Sequence, residues 1–250
     1  MIKRLACIFA ILIGLASCEY ITEMNKTGDI VSKDIAWEGA EEIEIWAPIR
    51  LILVNSDSSY MHLSGMDFIV EGYRLYNQDG RLFIKHNKTE ILQESKIANL
   101  YVYSPSFKRI DTNSPCKITT NGDTLDITSL SIVVNGKGLY TTGDFILKGD
   151  EFHLSVYGGV NKTHHNIGGQ VNNAYYHLEG GCDIIADKLQ SKSCEVTQKA
   201  YGDIYLCAEE KLLVRVYSTG NVYFKGDPEI DFEQVKNNMM KASGKLIKLN

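Results

Sequence analysis

Glycine-containing turns that recur about every twenty residues constrain this chain more than any other feature. Four of these turns align on Gly159, Gly181, Gly202 and Gly220, which are spaced 22, 21 and 18 residues apart. Between the turns apolar and polar residues alternate, which is typical of β-strands whose successive side chains point to opposite faces. One coil of such strands cannot bury its apolar face alone, whereas coils stacked about 4.8 Å apart share a continuous core.

The predicted fold is therefore all-β, a right-handed parallel β-helix with stacked rungs of about 20 residues. An antiparallel β-sandwich is the alternative, because it also has short strands and frequent turns. Residues 74–77 and 81–86 are predicted to form a hairpin. The positions expected to face the core are Leu154, Val156, Ile184, Val196, Ile204, Val214, Val216, Val222 and Phe224.

The two ends of such a stack must be capped against edge-to-edge association. We expect residues 43–86 to cap one end and residues 231–250 to cap the other. No window before residue 230 has the spacing of an amphipathic helix. A short helix within residues 232–242 would depend on tertiary packing.

The N-terminus has the features of an export signal. Lys3 and Arg4 precede an apolar run, residues 5–15, which is far shorter than the roughly 20 residues that span a bilayer. The sequence from Leu15 to Cys18 resembles the lipobox of bacterial lipoproteins, in which cleavage precedes an acylated cysteine. An ordinary signal peptide with an incidental cysteine is the alternative.

This resemblance divides the chain into a signal peptide at residues 1–17, the acylated Cys18 with a polar tether at residues 18–33, and a folded domain at residues 34–250. A Glu follows Cys18, rather than the Asp associated with inner-membrane retention. We therefore expect an exported, outer-membrane lipoprotein, facing the periplasm or the medium.

Composition and motifs exclude several classes of function. The net charge of −5, from 26 basic and 31 acidic residues without long runs of either sign, argues against nucleic acid as a partner. The chain has no nucleophile elbow, no phosphate-binding glycine loop, no dinucleotide fingerprint and no metalloprotease motif. No catalytic residue, cofactor or metal is therefore predicted.

Cysteine and histidine spacing supports the absence of a metal site. Cys116, Cys182, Cys194 and Cys207 do not form the closely spaced pairs of zinc motifs. Buried free thiols are favoured over disulfides, which an exported setting permits. The pair from His164 to His165 lies between polar and glycine residues and is predicted to form a solvated turn rather than a metal site. On a strand the two side chains would point to opposite faces and could not ligate one ion.

A family resemblance rests on the last two clear turns. The segments from Gly202 to Ile204 and from Gly220 to Val222, followed by the run from Tyr223 to Pro228, resemble the head-GIN family of Bacteroidetes, labelled "putative autotransporter adhesin". Other turns depart from the Ser-Gly-Ser-Gly pattern usual in the family. The resemblance implies an exported β-helical domain without established enzyme chemistry.

The preferred functional hypothesis is a lipid-anchored, non-catalytic binding or adhesion protein that presents a β-helix surface to carbohydrate or protein ligands. The alternative is a β-helical polysaccharide lyase or hydrolase. The membrane is an expected partner through Cys18, and homo-oligomer formation stays open. The tyrosines expected to form the ligand face are Tyr157, Tyr201, Tyr205, Tyr217 and Tyr223. Tyr175 and Tyr176 are expected on the same exposed face.

Asp183 and Asp203 are the candidate ion-binding residues. They occupy equivalent positions in successive turns, so their carboxylates are expected to stack within about 5 Å. A pair at that distance could bind Ca²⁺ or have altered pKa values. The favoured interpretation is structural, because Asn221 occupies the same position in the next turn and such polar ladders cap turns.

Overall fold

The computed structural model describes residues 27–87, 96–235 and 242–249, and Cys18 therefore lies outside the described residues. Within these residues the chain forms β-strands and one helical turn, α1 (Asp67–Val70). The strands are β1 (Ile30–Ala36), β2 (Glu42–Ile45), β3 (Arg50–Asn55), β4 (Tyr60–Met66), β5 (Tyr73–Gln78), β6 (Arg81–His86), β7 (Asn99–Ser104), β8 (Arg109–Thr112), β9 (Lys117–Val134), β10 (Thr142–Val156), β11 (His164–Gly180), β12 (Asp183–Ala200), β13 (Ile204–Val216), β14 (Val222–Lys225), β15 (Glu229–Gln234) and β16 (Leu246–Lys248).

The strands form two hydrogen-bonded stacks that enclose the core. Stack A runs in spatial order through β5, β6, β2, β8, the later parts of β9 to β13, and β15. Stack B runs through β1, β4, β7, β3, the earlier parts of β9 to β13, β14 and β16. Each strand from β9 to β13 crosses from stack B to stack A, and a turn then returns the chain to stack B.

Parallel register between successive coils confirms the predicted architecture. Thr142 is paired with His164, and His164 with Asp183, so these coils contain 22 and 19 residues. The result is a β-solenoid of about six turns. This parallel pairing excludes the antiparallel sandwich.

The spatial order of the coils differs from their order in the sequence. The coil formed by β2 and β3 lies between the coil of β6 and β7 and the coil of β8 and β9. Residues 43–86 therefore are not simply a cap, as expected, because part of this segment builds an internal coil. Antiparallel strands close that end instead: β5 pairs with β6, β4 with β7, and β1 with β4.

Three expectations about segments can be compared with the strands. The hairpin is confirmed as β5 and β6. Strand β1 begins at Ile30, before the expected start of the domain at residue 34. The expected helix at residues 232–242 is wrong for its first three residues, which belong to β15; residues 236–241 lie outside the described residues.

The interior consists of columns of apolar side chains, one from each coil. All nine residues predicted to face the core are buried. Cys194 lies in the same column as Leu212 and is 1% exposed. The four cysteines in the described residues are free thiols, as predicted, but Cys207 is half-buried rather than buried. Burial raises the pKa of Cys116 and of Cys182 to about 12, so these thiols are unreactive at neutral pH.

The turn glycines do not all occupy one register. Gly180 is paired with Ala200, which places Gly181 beside Tyr201 rather than beside Gly202 as the sequence alignment assumed. Gly202 and Gly220 do stack. A Cβ on Gly220 would lie 2.1 Å from the carbonyl oxygen of Gly202, so close backbone approach requires glycine there.

The two adjacent histidines lie at the start of β11, and the predicted turn at this position is wrong. His164 is exposed and His165 is completely buried, because successive strand residues point to opposite sides. His165 occupies a column otherwise held by residues such as Ile118 and Ile184. Its ring stacks on Phe145 at 6.2 Å, with 13° between the ring planes.

Gly143 provides the space for the buried histidine. A Cβ at Gly143 would lie 2.2 Å from Nδ1 of His165. We expect Gly143→Ala to destabilise the protein by about 1–3 kcal/mol, because overpacking displaces the rings of His165 and Phe145. Combining it with His165→Ala should cost less than the sum of the single changes, with a coupling of about 0.5–3 kcal/mol. Urea denaturation measures both effects.

Gly159→Ala is the control, because a Cβ there meets nothing within 4 Å. Its effect should stay within about 0.5 kcal/mol. Equal destabilisation by the two glycine substitutions would contradict the proposed packing.

Acid is expected to destabilise the solenoid through His165. Burial, and to a lesser extent His164, lowers the pKa of His165 from 6.5 to about 3. Between these values the unfolded chain binds a proton that the folded chain does not, so the free energy of unfolding falls by up to about 1.4 kcal/mol per pH unit as pH decreases from 6.5. His165→Leu should largely remove this slope in denaturation at pH 4–7.

His164→Leu changes an exposed neighbour and should keep most of the slope. Loss of the slope in this variant, or its persistence in His165→Leu, would show that other groups control acid stability.

Candidate functional site: an aromatic ridge along one edge of the solenoid

Exposed apolar side chains are concentrated where the chain turns from stack A to stack B. We call this edge the ridge. Of the eleven large hydrophobic residues exposed in the described part of the chain, six lie in or beside these turns. They are Trp46, Tyr140, Tyr157, Val160, Ile185 and Tyr201.

The opposite edge, where the strands bend from stack B to stack A, has a different character. Of the exposed large hydrophobics in the described residues, two lie beside this edge, Tyr60 at the start of β4 and Ile230 near the start of β15, against six at the ridge. Its exposed residues include Lys148, Asp150, Lys188, Lys192, Glu209 and Glu210. The two edges are built by the same backbone repeat, so this contrast comes from side-chain choice and not from the fold.

The stack A side of the ridge carries one outward residue from each coil. The row contains Asn113, Asn135, Tyr157, Glu179, Lys199 and Tyr217. The amide of Asn135 donates to the side-chain oxygen of Asn113 at 3.1 Å. Lys199 lies 3.8 Å from Glu179 and 5.7 Å from the ring centre of Tyr217. Two amides, a tyrosine, an ion pair and a second tyrosine therefore follow one another along the row.

Asp183 and Asp203 begin the stack B side of the ridge in equivalent positions, as predicted. The backbone N–H of Asn221 donates to Oδ1 of Asp203 at 2.7 Å, and that of Lys245 donates to Asn221 Oδ1 at 3.0 Å. These side chains therefore cap the backbone of the next coil. Across the residues with assigned structure, no group of three or more His, Cys, Asp or Glu residues could hold a metal ion. Ion binding at this pair stays a prediction.

The five tyrosines expected to share a face lie on two sides of the ridge. Tyr157 and Tyr217 are on the stack A side, and Tyr201 lies over Gly181 at the turn itself. Tyr205 and Tyr223 are on the stack B side, where their rings stack at 4.6 Å with 6° between planes. The tyrosines thus follow one edge rather than one flat surface.

Residues 41–228 match the family model described as "Putative auto-transporter adhesin, head GIN domain". The chain belongs to the head GIN domain family. The family description indicates an exported, cell-surface protein of adhesion type. No curated protein matches the sequence significantly.

Solved structures share the head GIN fold. A "putative adhesin" from Bacteroides fragilis has a TM-score of 0.66 and 18% identity, covering 88% of this chain and 97% of that chain. A "putative adhesin" from Parabacteroides distasonis has a TM-score of 0.65 and 17% identity, covering 89% and 98%. A "putative lipid binding protein" from the same species has a TM-score of 0.58 and 16% identity, covering 88% and 94%. At these identities the similarity shows the fold alone.

Histidine–tyrosine pairs beside the ridge were missed from the sequence. His153 stacks on Tyr175 at 4.4 Å with 11° between planes, and His177 lies 5.1 Å from Tyr157. They extend the aromatic surface of the head GIN domain across stack A. Tyr176, expected on the exposed face with Tyr175, is instead buried. The alternation of inward and outward residues along β11 is the sequence signal that distinguishes the outward Tyr175 from the inward Tyr176.

An open polar cavity of about 570 Å³ lies near the N-terminal end of the solenoid. Its lining includes Glu41, Glu42, Arg81 and Lys108. These charges pair with one another: Arg81 contacts Glu42 at 2.5 Å, and Lys108 bonds Glu41. Each of these two bases thus has a carboxylate partner within the cavity.

The described residues contain no helix long and apolar enough to cross a membrane.

Proposed function

We propose that this protein is a lipid-anchored, non-catalytic binding protein of the cell envelope whose ridge binds carbohydrate. The observation that carries the proposal is the concentration of exposed aromatic rings on one edge of the solenoid. The family description supports an adhesion-type, non-catalytic role.

The side chains of the ridge match the chemistry of a sugar chain. Sugar rings have apolar C–H faces, which pack on aromatic rings such as those of Tyr157 and Tyr217. Their hydroxyl groups both donate and accept hydrogen bonds, and the amides of Asn113 and Asn135 offer both roles. Because the coils repeat at about 4.8 Å, these groups form a linear array suited to an extended polymer.

In this proposal a lipid anchor on Cys18 holds the N-terminal end of the solenoid toward the membrane. Eleven residues lie between Cys18 and Ile30, the first residue of β1, and the twelve residue steps from Cys18 to Ile30 span at most about 43 Å when extended. Ile30 belongs to the edge strand that ends stack B. The lipid anchor is then inserted in the outer membrane. The ridge extends away from this membrane along the solenoid axis.

Loss of one exposed ridge tyrosine should weaken carbohydrate binding. Tyr157→Ala removes a ring that is 42% exposed, and we expect about tenfold weaker binding to any polysaccharide that the protein retains on a glycan array. Tyr60→Ala is the matched control, because Tyr60 is 41% exposed and lies on β4, away from the ridge. It should leave the affinity within about twofold.

The same glycan panel separates this proposal from two others. Release of new sugar ends would support the alternative enzyme and contradict a purely binding role. If the protein retains no polysaccharide but binds a surface protein through the ridge, the ligand is a protein and not a carbohydrate. Equal losses in the Tyr157 and Tyr60 variants would contradict binding by the ridge.

Anchoring is expected to depend on Cys18. Acyl chains stabilise membrane association by about 0.8 kcal/mol per buried methylene, so their loss should release the protein. Cys18→Ala should therefore move the protein from the membrane fraction to the soluble fraction. Cys7→Ala is the control within the signal sequence and should leave the protein membrane-bound. A Cys18→Ala protein that stays with the membrane would contradict the lipid anchor.

A further inference from the structure

The C-terminal end of the solenoid exposes residues that belong to core columns. Ile230 and Phe232 in β15 are in register with Leu212 and Val214 of β13. Leu212 and Val214 are completely buried, whereas Ile230 is 46% exposed and Phe232 is 38% exposed. The difference arises because each earlier coil is covered by the next one. In the part of the chain that the structure describes, no strand follows β15 in stack A.

Strand β15 also has an outer backbone edge that pairs with no other strand among the residues that the structure describes. The N–H of Val235 donates to the carbonyl of Val216, which points the backbone groups of every second residue before it toward β13. The N–H and C=O groups of Ile230, Phe232 and Gln234 therefore point away from β13. An edge of this kind is a template for one further strand.

The outward side chains of β15 are all acidic. Glu229, Asp231 and Glu233 alternate with the inward residues, and all three are exposed. Arg215 contacts Asp231 at 2.8 Å and Glu233 at 3.1 Å. Lys211 is the register partner of Glu229, so two basic residues lie beside three carboxylates, and the row keeps a net charge of −1.

Charge decides which strand fits the edge. Antiparallel pairing of two β15 edges would place the acidic rows of two copies opposite each other, and directly opposed like charges are destabilising. An incoming strand with basic side chains on the outer side and apolar side chains on the inner side fits this edge. Its backbone hydrogen-bonds to β15, its basic side chains pair with the acidic row, and its apolar side chains bury Ile230 and Phe232.

We propose that the outer edge of β15 is a docking site for an extended segment of a partner protein in which basic and apolar residues alternate. The segment adds to stack A as one more strand, a mode in which main-chain hydrogen bonds supply affinity and side-chain alternation supplies specificity. Its apolar side chains cover Ile230 and Phe232. This site is independent of the ridge and of the proposed carbohydrate ligand.

A synthetic seven-residue peptide of alternating Lys and Val, labelled with a fluorophore, tests the site by fluorescence anisotropy with the purified full chain. We expect saturable binding that weakens as salt increases. The same residues in block order, and an alternating peptide methylated on every second backbone nitrogen, should each bind about tenfold or more weakly. An alternating Glu and Val peptide should not bind.

Phe232→Lys should weaken binding of the basic peptide about tenfold, since it removes the apolar contact and adds a like charge. Ile185→Lys is the matched control, because Ile185 is also 38% exposed on a strand but lies on the ridge. Glu229→Lys should weaken the basic peptide and strengthen binding of the Glu and Val peptide. Circular dichroism verifies that each variant is folded.

Four results would overturn the proposal. They are absence of saturable binding up to about 1 mM peptide, equal binding of the methylated peptide, equal effects of the Phe232 and Ile185 variants, and dimerisation of the wild-type chain that Phe232→Lys abolishes. The last result would assign the edge to a second copy. Ridge variants leave every one of these measurements unchanged, so failure here is distinct from failure of the carbohydrate proposal.

Discussion

Parallel backbone hydrogen bonding between successive coils is the interaction on which the whole structure depends. Each coil satisfies the peptide groups of the coil beside it, so no single coil is stable alone. The same ladder aligns equivalent residues in columns. Inward columns must then fit one another in shape, whereas outward columns become rows of repeated side chains such as the tyrosines, amides and charges of the ridge.

Column packing explains why unusual residues occur in pairs along the stack. His165 takes an aliphatic position in its column, and the neighbouring coil has Gly143 there, which leaves room for the ring. At the turns, Gly202 and Gly220 allow successive backbones to approach closely. A substitution in one coil therefore changes the packing of the equivalent residue in the next coil. Residues that vary together in such a fold should be those paired between coils rather than those adjacent in the sequence.

Much of the fold could be predicted from the sequence because alternation and turn spacing report local backbone geometry. The inward positions and the equivalence of Asp183 and Asp203 follow from period and spacing alone. The insertion of the β2 and β3 coil between later coils could not be predicted, because no local signal encodes which parallel strands become neighbours. The histidine pair was misplaced for a related reason: its turn-like polar surroundings concealed that Gly143, one coil earlier, accommodates His165.

The candidate site shows the same division between local and non-local information. Individual tyrosines could be selected from the sequence, but their distribution over two sides of one edge depends on where each strand bends. That bend also separates the aromatic ridge from the charged edge opposite it. A ligand that binds along the ridge would contact residues from many coils, each of which contributes one side chain. Its affinity would then be distributed over several weak contacts rather than concentrated in a cavity.

A hydrogen-bonded ladder must end in a strand with one unpaired backbone edge, and the two ends of the solenoid differ in how they terminate the ladder. At the N-terminal end antiparallel strands terminate the ladder. At the C-terminal end β15 leaves an edge whose inward residues, Ile230 and Phe232, are apolar and exposed. Unprotected edges of this kind promote aggregation, and charged side chains are one device that prevents it. The acidic row of β15 opposes pairing with a second copy, and the same charges favour a basic strand. Protection against self-association and selection of a partner are therefore one property of this edge.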